Sequence, residues 1–90
     1  MLKIDISKQA GKFLGKIPKK QKRQISEKIL SLAAGSTPQD CKRLKGNFSY
    51  YRVDIGEFRI IYKFTKYYLY VDLVGKRNDD EIYRKFRRMS

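Results

Sequence analysis

The stretch Arg52-Val53-Asp54-Ile55-Gly56-Glu57-Phe58-Arg59 reads as the tip of a β-hairpin, and the second half of the chain is organised around it. Taking Ile55-Gly56 as a two-residue turn pairs Asp54 with Glu57 and Val53 with Phe58, and sets Arg52 directly opposite Arg59. Like charges facing each other across one sheet face repel, and an anion lying between the two guanidinium groups relieves that cost. The hairpin is therefore a candidate phosphate site. The plainer reading is a solvated face whose arginines are balanced by Asp54 and Glu57. On either side of the turn, Tyr51, Val53, Phe58, Ile60 and Tyr62 alternate with Arg52, Asp54, Glu57, Arg59 and Lys63, so one face is core and the other polar.

Downstream, residues 67 to 74 are rich in aromatic and β-branched side chains and read as a third strand, with Leu69, Val71 and Leu73 continuing the buried face. After Gly75-Lys76-Arg77, residues Asn78 to Arg88 suit a short helix. Asp79, Asp80 and Glu81 lie at its positive end, and Arg84, Lys85, Arg87 and Arg88 at its negative end. Upstream, Lys42-Arg43-Leu44-Lys45-Gly46-Asn47 reads as a basic connector. Leu2, Ile4 and Ile6 alternate with Lys3 and Asp5, which suggests a strand with one buried face. Ser7 offers an N-cap to a helix over residues 8 to 16, whose apolar positions are Ala10, Phe13, Leu14 and Ile17. Pro18 suits the first position of a second helix running to about Ala34, with Ile25, Ile29, Leu32 and Ala33 as its stripe and Gly35 as its stop. The order is strand, two helices, three strands and a short helix. The expected fold is α+β, with an N-terminal strand and two helices packed on a mainly antiparallel four-stranded sheet.

Ninety residues with 41% hydrophobic content suit a single domain over residues 1 to 90. Twenty-two Lys and Arg against nine Asp and Glu leave a formal charge of +13, more than solubility requires, so a polyanionic partner is expected. No apolar run has the length of a spanning helix, and residues 1 to 17 are too interrupted by charge for a signal peptide, so the expected setting is the cytoplasm, with no membrane partner. The single Cys41 and the absence of histidine leave no conventional zinc site, and no cofactor is expected. Any chemistry must run on Lys, Arg, Tyr, Asp or Glu. Arg77, next to Lys76 at a strand end, is either a surface residue or a functional one. Tyr83 sits among Ile82 and Phe86 on the terminal helix, where a core or rim aromatic is the commoner fate. Tyr50, Tyr67, Tyr68 and Tyr70 have the chemistry to stack on bases, although strand aromatics more often pack.

In its order of short motifs the chain resembles the RelE-type toxins of the RelE/ParE superfamily, the toxin half of bacterial toxin–antitoxin pairs. The resemblance is strongest from Arg43-Leu44-Lys45-Gly46 through Tyr51-Arg52, Gly56-Glu57-Phe58-Arg59-Ile60-Ile61-Tyr62 and Val74-Gly75-Lys76-Arg77 to Tyr83. It implies a microbial ribonuclease-like α+β fold and a ribosome-dependent mRNA endoribonuclease that cuts in the A site. The implied reaction is attack of a ribose 2′-OH on the adjacent phosphate, which leaves a 2′,3′-cyclic phosphate and a 5′-OH. Arg59 matches the arginine that stabilises the phosphate in its transition state, and Arg77 the arginine near the leaving group. Tyr83 matches the tyrosine that orients or stacks on the substrate nucleotide. Lys45 stands where a basic residue helps bind RNA, with Arg43 and Lys76 as further RNA-binding candidates. The family carries two lysines on the strand before the turn. Here they are Arg52, a clamp rather than a base, and Asp54, a carboxylate able to accept a proton.

The implied partners are a cognate RelB-like antitoxin, the ribosome through its rRNA, and mRNA, with operator DNA reached only through the antitoxin complex. Two other functions fit the same composition. One is a ParE-like inhibitor of DNA gyrase, against which the set Arg59, Arg77 and Tyr83 speaks. The other is a catalytically inactive RNA-binding relative in which arginines hold phosphates and tyrosines stack.

Overall fold

Strands β3 (Asn47–Ile55) and β4 (Phe58–Phe64) form the expected hairpin, but Ile55 pairs with Phe58, so the turn is Gly56-Glu57. Gly56 has φ of 58° and, among the described residues, no non-glycine residue has positive φ, the pattern of a type II′ turn with glycine in its first central position. The register corrects the sequence expectation at its central point. Asp54 faces Arg59, and Arg52 faces Ile61. Every partner has moved by two places, which leaves the buried and polar faces unchanged, so the alternation alone does not distinguish the two registers. Opposite charges across the pair favour the observed one.

The computed structural model describes residues 1–44, 47–78 and 81–89. Besides the hairpin it contains β1 (Lys3–Ile6), α1 (Lys8–Lys16), α2 (Lys19–Ala34), β2 (Lys42–Leu44), β5 (Tyr68–Lys76) and α3 (Glu81–Met89). The sheet has five strands in the order β1-β5-β4-β3-β2, rather than the four expected. The extra one is β2, which the sequence presented as a connector. It is too short for a period to show, and it pairs antiparallel with β3. Only β1 and β5 run parallel, so the sheet is mainly antiparallel as expected.

Ser7 caps α1 by accepting from the Ala10 amide at 3.1 Å. Pro18 is the N-cap of α2 rather than its first helical residue, since its ψ of 152° is extended. The stripe Ile25, Ile29, Leu32 and Ala33 is buried as its spacing requires. With Ala10 and Leu14 of α1 it packs on Val53, Ile60, Tyr62, Leu69 and Val71. A bulge in β5 shifts the register between Ile61 and Tyr62 of β4: Ile61 pairs with Leu73 and Tyr62 with Val71. Asp72 is the extra residue. The bulge sends Leu73 to the opposite face, where it joins Leu44 and Ile61 beneath Ile82 and Phe86 of α3. Leu73 therefore departs from the expected buried face, and the sheet is covered on both sides. The Asp72 carbonyl accepts from the Ser7 hydroxyl at 2.6 Å, tying the bulge to the cap of α1.

At the sheet edge, Ile4 and Ile6 are 36% and 41% exposed, so β1 does not bury the face its alternation promised. The strand is held by its parallel ladder to β5 and by the Leu2 amide, which donates to the Ala33 carbonyl at 2.9 Å. Among the described residues no helix is long and apolar enough to cross a membrane.

Ile25 is fully buried between α2 and the sheet, whereas Leu30 on the same helix is 52% exposed. Ile25→Ala should cost about 2–5 kcal/mol in urea unfolding with an unchanged slope. Leu30→Ala should stay within about 0.5 kcal/mol of the parent.

Candidate active site

Arg59 projects from β4 on the sheet face that carries α3, and three hydrogen bonds to two residues hold its guanidinium. Its Nε donates to Asp54 Oδ1 at 2.6 Å and its Nη2 to Asp54 Oδ2 at 3.2 Å, the forked geometry of a bidentate arginine–carboxylate pair. Its Nη1 donates to the Tyr83 hydroxyl, and its Cζ lies 5.6 Å from the centre of the Tyr83 ring. The Arg59 side chain is 14% exposed and that of Asp54 34%. The pair is thus half-sheltered and reachable from solvent.

Hydrogen bonds from Arg59 hold the Asp54 carboxyl below the usual carboxylate range, opposed by its partial burial and reinforced by the charges of Arg59, Arg52 and Arg77. The same pairing raises Arg59 further, so it stays charged at every working pH. Among the described residues, the Asp54 carboxylate thus feels the charges of three arginines. Arg77 follows the end of β5 in an exposed turn, and its amide donates to the Glu57 carbonyl at 2.9 Å, pinning it beside the hairpin turn.

Tyr83 reaches Arg59 because α3 lies close on the sheet, and the close approach depends on Gly75. Gly75 is the cross-strand partner of Arg59, and a Cβ placed on it would stand 3.2 Å from Ile82 Cβ and 3.3 Å from Ile82 Cδ1. A side chain there fits only if Ile82 gives way. Tyr83 itself packs against the Leu44, Ile61, Leu73, Ile82 and Phe86 cluster, so it is a rim aromatic whose hydroxyl also reaches Arg59.

Beside the centre lies an open cleft of about 470 Å³ lined by Lys42, Arg43, Leu44, Arg52 and Tyr83. The structure thus brings together Arg59, Asp54, Tyr83, Arg52 and Arg77. It does not bring Lys76, which pairs with Phe58 on the face turned to α1 and α2. Arg43 lies at the cleft margin, with its guanidinium 5.5 Å from the Tyr51 ring. Lys45, with Gly46, Asp79 and Asp80, lies outside the described residues. Lys42 is the cleft residue that sequence reasoning missed. It shares a face with Arg52 through the β2–β3 pairing, and only that pairing distinguishes it from its basic neighbours.

No protein-family profile matches the sequence, and no curated protein matches it. Solved structures do match. The RelE–RelB complex of Pyrococcus horikoshii contains a chain 25% identical, with a TM-score of 0.72 over 84% of this chain and 94% of that one. The isolated RelE toxin of E. coli is 20% identical, with a TM-score of 0.75 and full coverage of both chains. The RelB–RelE antitoxin–toxin complex of Methanococcus jannaschii matches at 24% identity and a TM-score of 0.69, over 96% and 99% of the two chains. The α+β arrangement described above is the fold of these toxins.

Two outcomes check the site. Asp54 has a depressed folded-state pKa, so its stabilisation is complete above its unfolded value near ~4 and is lost as pH falls from there through the folded value. Unfolding followed from pH 6 downward should show that loss in the parent, and Asp54→Asn should remove part of it. Gly75→Ala should move α3 away from the sheet, read as weaker amide-exchange protection over residues 82 to 88 with β3 and β4 unchanged.

Proposed function

We propose that this chain, built on the RelE toxin fold, is the toxin of a toxin–antitoxin pair and acts as a ribosome-dependent endoribonuclease that cuts mRNA in the A site. The observation that carries the reading is Arg59 held between Asp54 and Tyr83 on an open basic cleft, with Arg52 and Arg77 beside it. Preorganised positive charge of this kind stabilises a phosphorane-like transition state.

In the proposed reaction the ribose 2′-oxygen attacks phosphorus while the bond to the 5′-oxygen breaks, leaving a 2′,3′-cyclic phosphate and a 5′-OH. Arg59 meets the non-bridging oxygens, and Arg77 stabilises the charge on the departing 5′-oxygen, which takes a proton from water to become the 5′-OH. Arg52, too basic to take a proton, clamps the phosphate from the cleft side. Tyr83 stacks on or orients the nucleotide. Asp54 has two successive roles. In the free protein both its oxygens engage Arg59 and keep the guanidinium aimed. Once a phosphate takes over that guanidinium, the main cause of the low Asp54 pKa is gone, and the freed carboxylate accepts the 2′-hydroxyl proton. Lys42, Arg43, Lys45 and Lys76 contribute phosphate contacts without sequence preference, and the ribosome supplies the reactive geometry of the mRNA. A RelB-like antitoxin is the proposed partner, as in the M. jannaschii complex, and the toxin reaches operator DNA only through it. Similarity to RelE toxins favours this reading over gyrase inhibition.

The test is translation in a purified ribosome system with a defined mRNA and mapped cleavage ends. Wild-type protein should cut at A-site codons and leave cyclic phosphate. Arg59→Ala and Arg77→Ala should each lower the rate by about 10²-fold or more. Intact mRNA with wild-type protein would reject the nuclease reading, and a gyrase supercoiling assay would then examine the alternative. Asp54→Asn should lose at least about tenfold in cleavage, in the range general base catalysis supplies. Full cleavage by that variant would remove Asp54 from the chemistry.

A further inference from the structure

At the far end of β4 from Arg59, about 13 Å along the strand, a second open cleft of about 730 Å³ plays no part in the reaction centre. Tyr50, Lys63, Tyr70 and Asp72 line it, and Phe86 of α3 packs on its Tyr50. The Lys63 ammonium lies 5.1 Å from the centre of the Tyr50 ring and 5.6 Å from that of Tyr70, its cross-strand partner. Tyr50 is fixed from two sides. Its hydroxyl donates to Asp72 Oδ2 at 2.7 Å, and its ring meets Phe86 edge-on at 4.8 Å. Tyr70 lies almost parallel to Tyr68, with centroids 5.7 Å apart and planes at 28°.

Tyr50 packs against the α3 cluster, but the other two rings do not serve the core. Tyr68 and Tyr70 belong to neither hydrophobic cluster, and Tyr68 and Tyr67 are 40% and 67% exposed. Flat aromatic surface beside a fixed cation, on a strongly basic protein, is the chemistry that holds unstacked bases. Asp72 narrows the ligand class. A carboxylate at the floor repels a bare phosphate but accepts hydrogen bonds from the amino or imino groups of a base. The bulge that places Asp72 here is the one that builds the α3 face, so the cleft is as fixed as the sheet.

We propose that this cleft binds an unpaired RNA nucleotide, with its base stacked on Tyr70, which Tyr68 backs, its edge turned to Asp72 and its phosphate on Lys63. The nucleotide belongs either to the strand bound at Arg59 or to a second RNA strand; the recognition chemistry is the same. The inference rests on RNA being this protein's ligand, as proposed above, but not on cleavage.

The test is fluorescence anisotropy with labelled single-stranded RNA at fixed salt, for wild type, Tyr70→Leu and Lys63→Gln, each first shown to melt cooperatively. Tyr70→Leu should weaken binding about tenfold, and the difference should vanish on an abasic strand of equal length. Lys63→Gln should lower the salt-dependence slope by about one. A Tyr70 effect seen only with RNA long enough to extend past Arg59, and lost in Arg59→Ala, assigns the nucleotide to the same strand. An effect equal on short RNA, and kept in Arg59→Ala, assigns it to a second strand. Unchanged affinity in both variants, or equal loss on abasic RNA, overturns the proposal and leaves the cleft as a protein-docking surface. Failure of the nuclease reading has a different signature, namely intact binding without cleavage.

Discussion

The ion pair between Arg59 and Asp54 joins the geometry of the hairpin to the chemistry of its surface. It exists because the turn falls at Gly56-Glu57, where the glycine takes a φ of 58° and the strands pair Asp54 with Arg59. In the register two places away, an arginine would face that arginine and the carboxylate would lie nearer the turn. The hairpin would still bury the same residues. Its electrostatics would differ completely, since the guanidinium would lack both the fork that aims it and the partner that offsets its charge.

The second constraint is steric. A helix carrying a tyrosine must come close enough to the sheet for its hydroxyl to reach Arg59, and the cross-strand partner of Arg59 is the glycine that permits this. The β5 bulge serves the same end by turning Leu73 toward α3, which gives the helix an apolar seat with Ile61 and Leu44. The bulge also delivers Asp72 to the second cleft and its carbonyl to Ser7. One irregular residue thus connects the cap of the first helix, the seat of the last helix and a surface away from the reaction centre.

Charge on this chain is distributed unevenly in consequence. At the centre, among the described residues, the Asp54 carboxylate answers Arg52, Arg59 and Arg77. In the second cleft, Lys63 sits among tyrosines with a carboxylate nearby, an arrangement better suited to a base than to a phosphate alone. Two clefts on one sheet face therefore differ in chemistry, one lined by guanidinium groups and the other by tyrosine rings around a lysine.

Much of this was legible in the order of residues. The helical stripe of α2, the Ser7 cap and the alternation of β3 and β4 follow from local periodicity, because short-range spacing fixes which face a side chain takes, whereas Arg59, Arg77 and Tyr83 stand out together only through the family resemblance. What local spacing leaves open is which residue lies opposite which. The pairing of Asp54 with Arg59, the conversion of Lys42–Leu44 into a strand, the bulge that redirects Leu73 and the exposure of Ile4 and Ile6 at an edge all depend on contacts between distant segments. The sequence by itself determined two faces and a set of cations. Only the tertiary structure decided their neighbours, since cross-strand register and helix approach are set by packing, turn geometry and charge pairing across the whole sheet.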